Sequence, residues 1–126
     1  MLDRLSSPAL LLRVEALVLL AVAVGAYAWH DGSWWLFAIL FLAPDLSFLG
    51  YLAGPRVGAA TYNLAHAYVL PGVLLAIATT GAALAVDLAL IWGAHIAFDR
   101  ALGYGLKYPE GFGTTHLGQI GRRKEV

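Results

Sequence analysis

The chain has 126 residues, of which 60% are hydrophobic and only 13% charged, and its formal net charge is zero. Soluble domains carry about 25% charged residues, so this chain has too few to cover a water-facing surface. The neutral balance gives no reason to expect a nucleic-acid partner, and the absence of cysteine excludes disulfides and thiolate metal ligands. The length fits a single domain, residues 1–126.

Four apolar segments are long enough to cross a bilayer as helices. About 20 helical residues cover the ~30 Å of hydrocarbon in a membrane. The segments are residues 9–29, 34–54, 57–78 and 82–102, and a glycine-rich stretch with a basic tail follows at 103–126. The sequence therefore predicts an all-α, polytopic four-transmembrane-helix bundle. Pro44 in the second segment predicts a kink there, because proline lacks the N–H that a helix interior needs.

The basic residues give the predicted orientation. If the N-terminus is cytoplasmic, all eight lysines and arginines lie on the cytoplasmic side or close to it, and the outer turns carry none. Trp29, Trp34 and Trp35 flank the first outer turn, as interfacial tryptophans do. We therefore predict that both termini are cytoplasmic and that the lipid bilayer is the main partner.

Titratable side chains inside the predicted spans are the first candidates for function. Such groups are expensive in hydrocarbon and face the bundle interior by default. Asp45 and His66 fall near the midplane, and His95 and Asp99 are i, i+4 neighbours on one face of the fourth span. We expect these four side chains to meet in a pocket open to the cytoplasm.

Further polar residues extend this predicted site. Tyr62 and Asn63 share the face of the third span that carries the histidine, so we count them with the four as candidate catalytic residues. Arg100, Tyr104 and Lys107 follow near the cytoplasmic mouth and are predicted to bind an anionic headgroup. The predicted substrate is a lipid-like small molecule.

Two imidazoles and two carboxylates, from Asp45, His66, His95 and Asp99, suit a divalent metal such as Zn²⁺. Such an ion can activate water against a lipid-borne ester, amide or phosphate. A metal-free general base, His66 or His95, is an alternative. A proton- or ion-coupled transporter working as an oligomer and a purely structural polar cluster are the other two interpretations.

Two features outside the pocket complete the sequence predictions. Small residues recur at every fourth position of the last span, which favours a homo-oligomer through the face formed by Ala85, Ala89, Gly93 and Ala97. Glu15 and Asp87 are interpreted as structural, Glu15 with Arg56 or Arg100 as its partner and Asp87 as a residue near the outer end of its helix.

Three strings carry a family resemblance: PDLSFLGY at 44–51, YNLAH at 62–66 and HIAFDRALGYGLKYP at 95–109. With them the chain resembles a family of small bacterial four-helix integral membrane proteins catalogued as a domain of unknown function. The match covers the second to fourth spans and the segment that follows. The resemblance implies a multi-pass protein of the bacterial inner membrane, and it brings no reaction, substrate or cofactor.

Overall fold

The computed structural model describes residues 7–78 and 81–107, together with the backbone of residues 114–115 and 118–119. Its helices and strands, in chain order, are α1 (Pro8–Trp29), α2 (Trp34–Leu40), a 3₁₀ helix (Ala43–Ala53), α3 (Pro55–His66), α4 (Val69–Ala78), α5 (Ala83–Leu102), β1 (Thr114–Thr115) and β2 (Gly118–Gln119). The two strands pair antiparallel with Thr114 opposite Gln119. The rest of the predicted tail, and the basic residues Arg4, Arg122, Arg123 and Lys124, lie outside the described residues.

The prediction of a helical protein is confirmed at the level of membrane-length helices. Among the described residues, three helical units are long and apolar enough to cross a membrane: Pro8–Trp29, Trp34–Ala53 and Pro55–Ala78. α5 is also 20 residues long, but it carries three charged residues, Asp87, Asp99 and Arg100, and is not among these three units. The surface is as apolar as a lipid-facing one, since Trp35 is 82% and Leu52 is 88% exposed.

Two of the four predicted spans are not continuous α-helices, which corrects the sequence prediction. The second span ends its α-helix at Leu40 and continues as 3₁₀ helix from Ala43, so that Pro44 lies in a first turn, where no N–H is required. The third span breaks between His66 and Val69, and Pro71 likewise falls in the first turn of α4. The α-helix is thus interrupted beside Pro44, where the kink was predicted, and the break before Pro71 is additional.

α1 and α5 pack against each other in opposite directions. Ser7 caps α1 by accepting from the Leu10 N–H at 3.2 Å. Near that end of α1, the Arg13 Nε donates to the Ala101 carbonyl oxygen at 3.1 Å, and at the other end the His30 Nδ1 lies 2.8 Å from an Asp87 oxygen. The beginning of α1 and the end of α5 therefore lie on the same side of the molecule.

The 3₁₀ helix is held tightly against α3 by glycines. A Cβ at Gly50 would fall on the Thr61 side chain, and one at Gly58 would fall on the Tyr51 ring. The Thr61 hydroxyl lies 3.0 Å from the Ser47 carbonyl oxygen across the same contact. This close approach brings the 3₁₀ helix, with Asp45 on it, up to the end of α3.

α5 occupies the centre of the molecule, packed against α1 on one side and α4 on another. Of its small-residue face, Ala89 and Ala97 are buried within the chain at 4% and 0% exposure. Half of the face proposed for self-association is thus already covered by the chain's own helices, and a homo-oligomer through it stays a prediction.

Candidate metal centre

Four side chains from three helical units meet in the interior. We call them the His–Asp cluster: Asp45, His66, His95 and Asp99. One potential ligand atom from each lies within 4.8 Å of those of the other three. The 3₁₀ helix supplies one carboxylate, the last residue of α3 supplies one imidazole, and α5 supplies the remaining pair one turn apart.

Five distances between the ligand atoms of the cluster are close to those around a single metal ion. The two histidine Nε2 atoms are 3.1 Å apart. Asp45 Oδ1 lies 3.1 Å from each of them, and Asp99 Oδ2 lies 3.4 Å from that of His66 and 3.3 Å from that of His95. A tetrahedral zinc site with bonds of about 2.0–2.1 Å has ligand–ligand edges of about 3.3–3.4 Å. Five of the six edges of this cluster agree with that value to about 0.3 Å.

Hydrogen bonding and stacking fix the His66 ring. Its Nδ1 lies 2.9 Å from the Tyr62 carbonyl oxygen, one turn earlier in α3, and its ring stacks on the Tyr62 ring with centroids 3.8 Å apart. A carbonyl oxygen can only accept, so Nδ1 carries the proton. In the neutral imidazole the Nε2 atom then carries a lone pair that is directed into the cluster. This is the arrangement of a metal-ligating histidine.

His95 is the more deeply buried of the two histidines. It is 1% exposed, and its ring meets the Phe41 ring edge to face at a centroid distance of 5.4 Å. Phe41 follows directly after α2, so the break in the second helical unit places an aromatic side chain beside the histidine. Its Nε2 lies toward the other members of the cluster.

The cluster opens on its carboxylate side. The side chains of Asp45 and Asp99 are 35% and 17% exposed, against 4% and 1% for the two histidines. Both carboxylates line a cavity of about 170 Å³, whose other walls come from Phe48, Tyr62, Tyr104 and Lys107. The two carboxylates therefore form the floor of this small cavity, which we call the polar chamber.

Lys107 is held at this chamber by the side chain of Asn63. The Asn63 carboxamide accepts from the Lys107 N–H and donates to its carbonyl oxygen, each at 2.6 Å. The Lys107 Nζ lies 4.6 Å from the centroid of the Tyr62 ring, which is a cation–π distance. Burial lowers the pKa of Lys107, and the Asp99 carboxylate opposes that shift.

The structure therefore brings most of the predicted site residues together, with two differences of place. Asn63, predicted beside the histidine, binds the backbone after α5 instead of reaching into the cluster. Arg100, predicted at the mouth, lies on another side of α5, where it donates to the His66 carbonyl oxygen at 3.3 Å and covers the Tyr68 ring at 4.8 Å. There Arg100 lines a small cavity together with Glu15. Arg100 was one of the two partners predicted for Glu15.

Two aromatic residues at the site were missed by the sequence analysis. Phe48 stacks toward Tyr62 at 5.1 Å, and Phe41 contacts His95. In a 3₁₀ helix the residues i and i+3 share a face, so Phe48 follows Asp45 into the chamber. In an α-helix the same two side chains would be offset by about 60° around the axis.

A larger apolar cavity lies next to the cluster, since Pro44 and Ala65 in its wall directly precede Asp45 and His66 in the chain. It measures about 400 Å³ and is lined by nine residues of the second, third and fourth helical units, among them Leu40, Pro44, Ala65, Leu88 and Trp92. Leu88 and Trp92, on the same helix as His95 and Asp99, line this cavity and not the polar chamber. The cluster thus neighbours both a polar chamber and an apolar cavity.

Fold and site together define a class: a small helical protein with membrane-length helices and a buried two-histidine, two-aspartate cluster. The family model described as "Domain of unknown function (DUF4260)" matches residues 9–120, and the chain belongs to that family. This confirms the resemblance noted from the sequence strings. Searches of curated proteins and of solved structures found no match.

Proposed function

We propose that this protein is an integral membrane hydrolase that uses one divalent metal ion of the zinc class, bound by the His–Asp cluster. The observation that carries the proposal is the set of five ligand–ligand distances between 3.1 and 3.4 Å. Histidine nitrogen and carboxylate oxygen are both zinc ligands, and nitrogen ligands favour zinc over magnesium or calcium.

The direction of the His66 ring supports a cation at the centre. With its proton on Nδ1, the neutral ring faces Asp45 Oδ1 at 3.1 Å and Asp99 Oδ2 at 3.4 Å with a lone pair. Lone pairs then oppose lone pairs, which is unfavourable at low dielectric. A metal ion converts all of these contacts into attractive ones, whereas a metal-free general base has to hold an extra proton to achieve the same.

Hydrolysis is the reaction that such a site supports. A metal ion with four protein ligands is closed, whereas a catalytic one needs a position for water. A bound ion would supply Lewis-acid activation of water at this site. Asp45 is the most exposed member, so its carboxylate would be the general base that takes the proton of the attacking water. As the water oxygen bonds to the carbonyl carbon or phosphorus of the substrate, the bond to the leaving oxygen or nitrogen would break, and Asp45 would return the proton to that leaving atom.

The membrane arrangement proposed with this function has four crossings, both termini cytoplasmic and a location in the bacterial inner membrane. Its support is that α1 and α5 are antiparallel, with their Arg13–Ala101 ends together, and that Arg13 and Arg100 lie near that end. The polar chamber, next to the residues after α5, then faces the cytoplasm.

Because the chain has no cysteine, single-cysteine variants give a clean test of this arrangement. A membrane-impermeant maleimide added to intact cells should label Ser33→Cys and leave Arg56→Cys unlabelled until the cells are opened. Labelling of Arg56→Cys in intact cells would contradict the proposed orientation.

The function itself is tested by metal content and hydrolysis together. Protein purified in detergent and loaded with zinc should hold about one ion per chain by mass spectrometry, and should hydrolyse p-nitrophenyl decanoate or decyl p-nitrophenyl phosphate. His66→Ala should lose both properties. His30→Ala is the matched control, since it removes a histidine outside the cluster, and it should keep both. Equal zinc content in the two variants would overturn the proposed site.

A further inference from the structure

The order of side chains along α5 separates two chambers. Leu88 and Trp92 line the apolar cavity, His95 follows one turn later, and Asp99 after another turn lines the polar chamber. Lys107, on the segment that follows α5, completes the polar wall. Along α5, His95 therefore lies between the residues that line the apolar cavity and those that line the polar chamber.

The other two units of the site also contribute to both chambers. In the second unit, close to Asp45 in the chain, Ser47 lines the apolar cavity and Phe48 lines the polar chamber. In the third unit, Ala65 lines the apolar cavity and Tyr62 lines the polar chamber. In all three units, side chains at or within one helical turn of a cluster residue line each chamber, so both chambers lie next to the cluster.

The apolar cavity is built for hydrocarbon. Its two side chains with polar hydrogens already have partners within the chain: the Trp92 Nε1 donates to the Ala65 carbonyl oxygen at 2.6 Å, and the Ser47 hydroxyl donates to that of Pro44 at 2.7 Å. The wall therefore offers a ligand little besides carbon. At about 400 Å³ it is within the range of small-molecule sites, which is roughly 300–1,000 Å³.

The polar chamber is built for a negative charge. It is lined by the Asp45 and Asp99 carboxylates, whose charge the proposed divalent ion offsets, and by the Lys107 side chain and the phenol of Tyr104, so the loaded site keeps the positive charge of Lys107 in excess. At about 170 Å³ it is less than half the size of the apolar cavity, which suits a compact headgroup better than a second chain.

Resting on the proposed function, we propose that the substrate is a single-chain anionic amphiphile drawn from the bilayer. Its hydrocarbon chain occupies the cavity beside Trp92, its negative group lies near Lys107, and the bond to be hydrolysed is held between them at the metal ion. Apolar burial of the chain supplies binding energy in proportion to the surface removed from water.

Binding of alkylphosphonates to the cobalt-substituted protein tests this assignment, because the visible spectrum of Co²⁺ responds directly to a new oxygen ligand. The protein is placed in phosphatidylcholine nanodiscs and titrated with decylphosphonate and with methylphosphonate. We expect decylphosphonate to bind at least 10-fold more tightly. Leu88→Trp, which fills the apolar cavity, should abolish that advantage and leave methylphosphonate binding unchanged.

Leu84→Trp is the matched control, since Leu84 is on the same helix, is 60% exposed and lies outside the cavity. It should retain the full advantage of the long chain, which corrects for partition of decylphosphonate into the bilayer. Lys107→Met should weaken both phosphonates by about the same factor, at least 10-fold. If Leu88→Trp does not fold, Ala43→Leu fills the same cavity from the 3₁₀ helix.

The two levels of the proposal fail differently. A long-chain advantage that is equal in wild type and in both cavity-filling variants would overturn the chain assignment while leaving the metal site standing. If Lys107→Met binds both phosphonates as tightly as wild type does, the headgroup assignment is overturned. Failure of cobalt to bind the wild-type protein would overturn the proposed function on which both depend.

Discussion

Histidine meets aspartate at two places in this molecule, and the two places differ in kind. Near the end of α1, the His30 Nδ1 lies 2.8 Å from Asp87, and the side chains are 37% and 16% exposed. In the His–Asp cluster, two imidazoles that are 4% and 1% exposed face two carboxylates and each other. The first is a two-body contact that links two helices, and the second is a four-body arrangement around a common centre.

This difference shows what packing alone requires. At the His30–Asp87 contact, which we call the outer pair, one donor meets one acceptor, and neither group needs a third partner. In the cluster, the Nδ1 proton of His66 is donated to the Tyr62 carbonyl oxygen, so the Nε2 of the neutral ring presents a lone pair to two carboxylate oxygens. We propose that a bound cation offsets these contacts, whereas the outer pair needs none.

The largest effect is expected from removing a carboxylate charge in the cluster. Asp45→Asn and Asp99→Asn should each lower zinc affinity by more than about 100-fold, beyond the 10–100-fold typical of losing a second-shell partner. In the metal-free protein the same changes should leave the melting temperature unchanged or raised, because Asn keeps the shape and removes a charge that opposes a lone pair. Zinc titrations and thermal melts with chelator present measure the two quantities.

Asp87→Asn is the control for those variants, and it should leave zinc affinity at the wild-type value. If the cluster is instead a structural ion-pair network, removing one charge strands its buried partner at a cost of about 3–5 kcal/mol. Metal-free melts of Asp45→Asn and Asp99→Asn that both fall far below wild type would then favour the structural interpretation.

An intermediate effect is expected from the clamp on Lys107. Asn63→Ala removes two hydrogen bonds of 2.6 Å to the Lys107 backbone and exposes that backbone to competition from water. We expect a loss of about 1–3 kcal/mol in unfolding free energy, from roughly 0.5–1.5 kcal/mol for each bond. Zinc content should stay at wild type, and Lys107 should be acetylated faster by an amine-reactive reagent. Loss of zinc in this variant would mean that Asn63 acts on the cluster.

The smallest effect is expected at the outer pair. His30→Ala should cost about 0.2–1 kcal/mol, as for other partly exposed ion pairs, and it should change neither zinc content nor alkylphosphonate binding. A chemical denaturation series in detergent, with Asp87→Asn beside it, measures the cost. A loss of several kcal/mol in either variant would mean that this pair is a buried structural contact after all.

The sequence predicted the parts of this structure that depend on composition and on helical periodicity. Apolar length located the helical units, and the i, i+4 spacing put His95 and Asp99 on one face. The cost of ionisable groups in hydrocarbon correctly suggested that Asp45 and His66 would join them. These inferences depend only on the length and periodicity of a single helix, or on the general cost of burying an ionisable group.

Features that depend on how helices break could not be predicted in this way. The 3₁₀ helix rotates Phe48 into line with Asp45, and the gap between α3 and α4 makes His66 a terminal residue instead of a mid-helix one. Asn63 was expected in the pocket because a helical wheel shows which face a residue occupies. The wheel does not show that the backbone around Lys107 folds back to meet that residue.

X-ray absorption spectroscopy at the zinc edge of the loaded protein tests the central claim most directly. The account predicts a first shell of nitrogen and oxygen at about 2.0–2.1 Å, with outer-shell scattering from two imidazole rings. His95→Ala should remove one ring's contribution, and His30→Ala should leave the spectrum unchanged. A first shell of oxygen alone, without imidazole scattering, would contradict the proposal that the His–Asp cluster binds the metal.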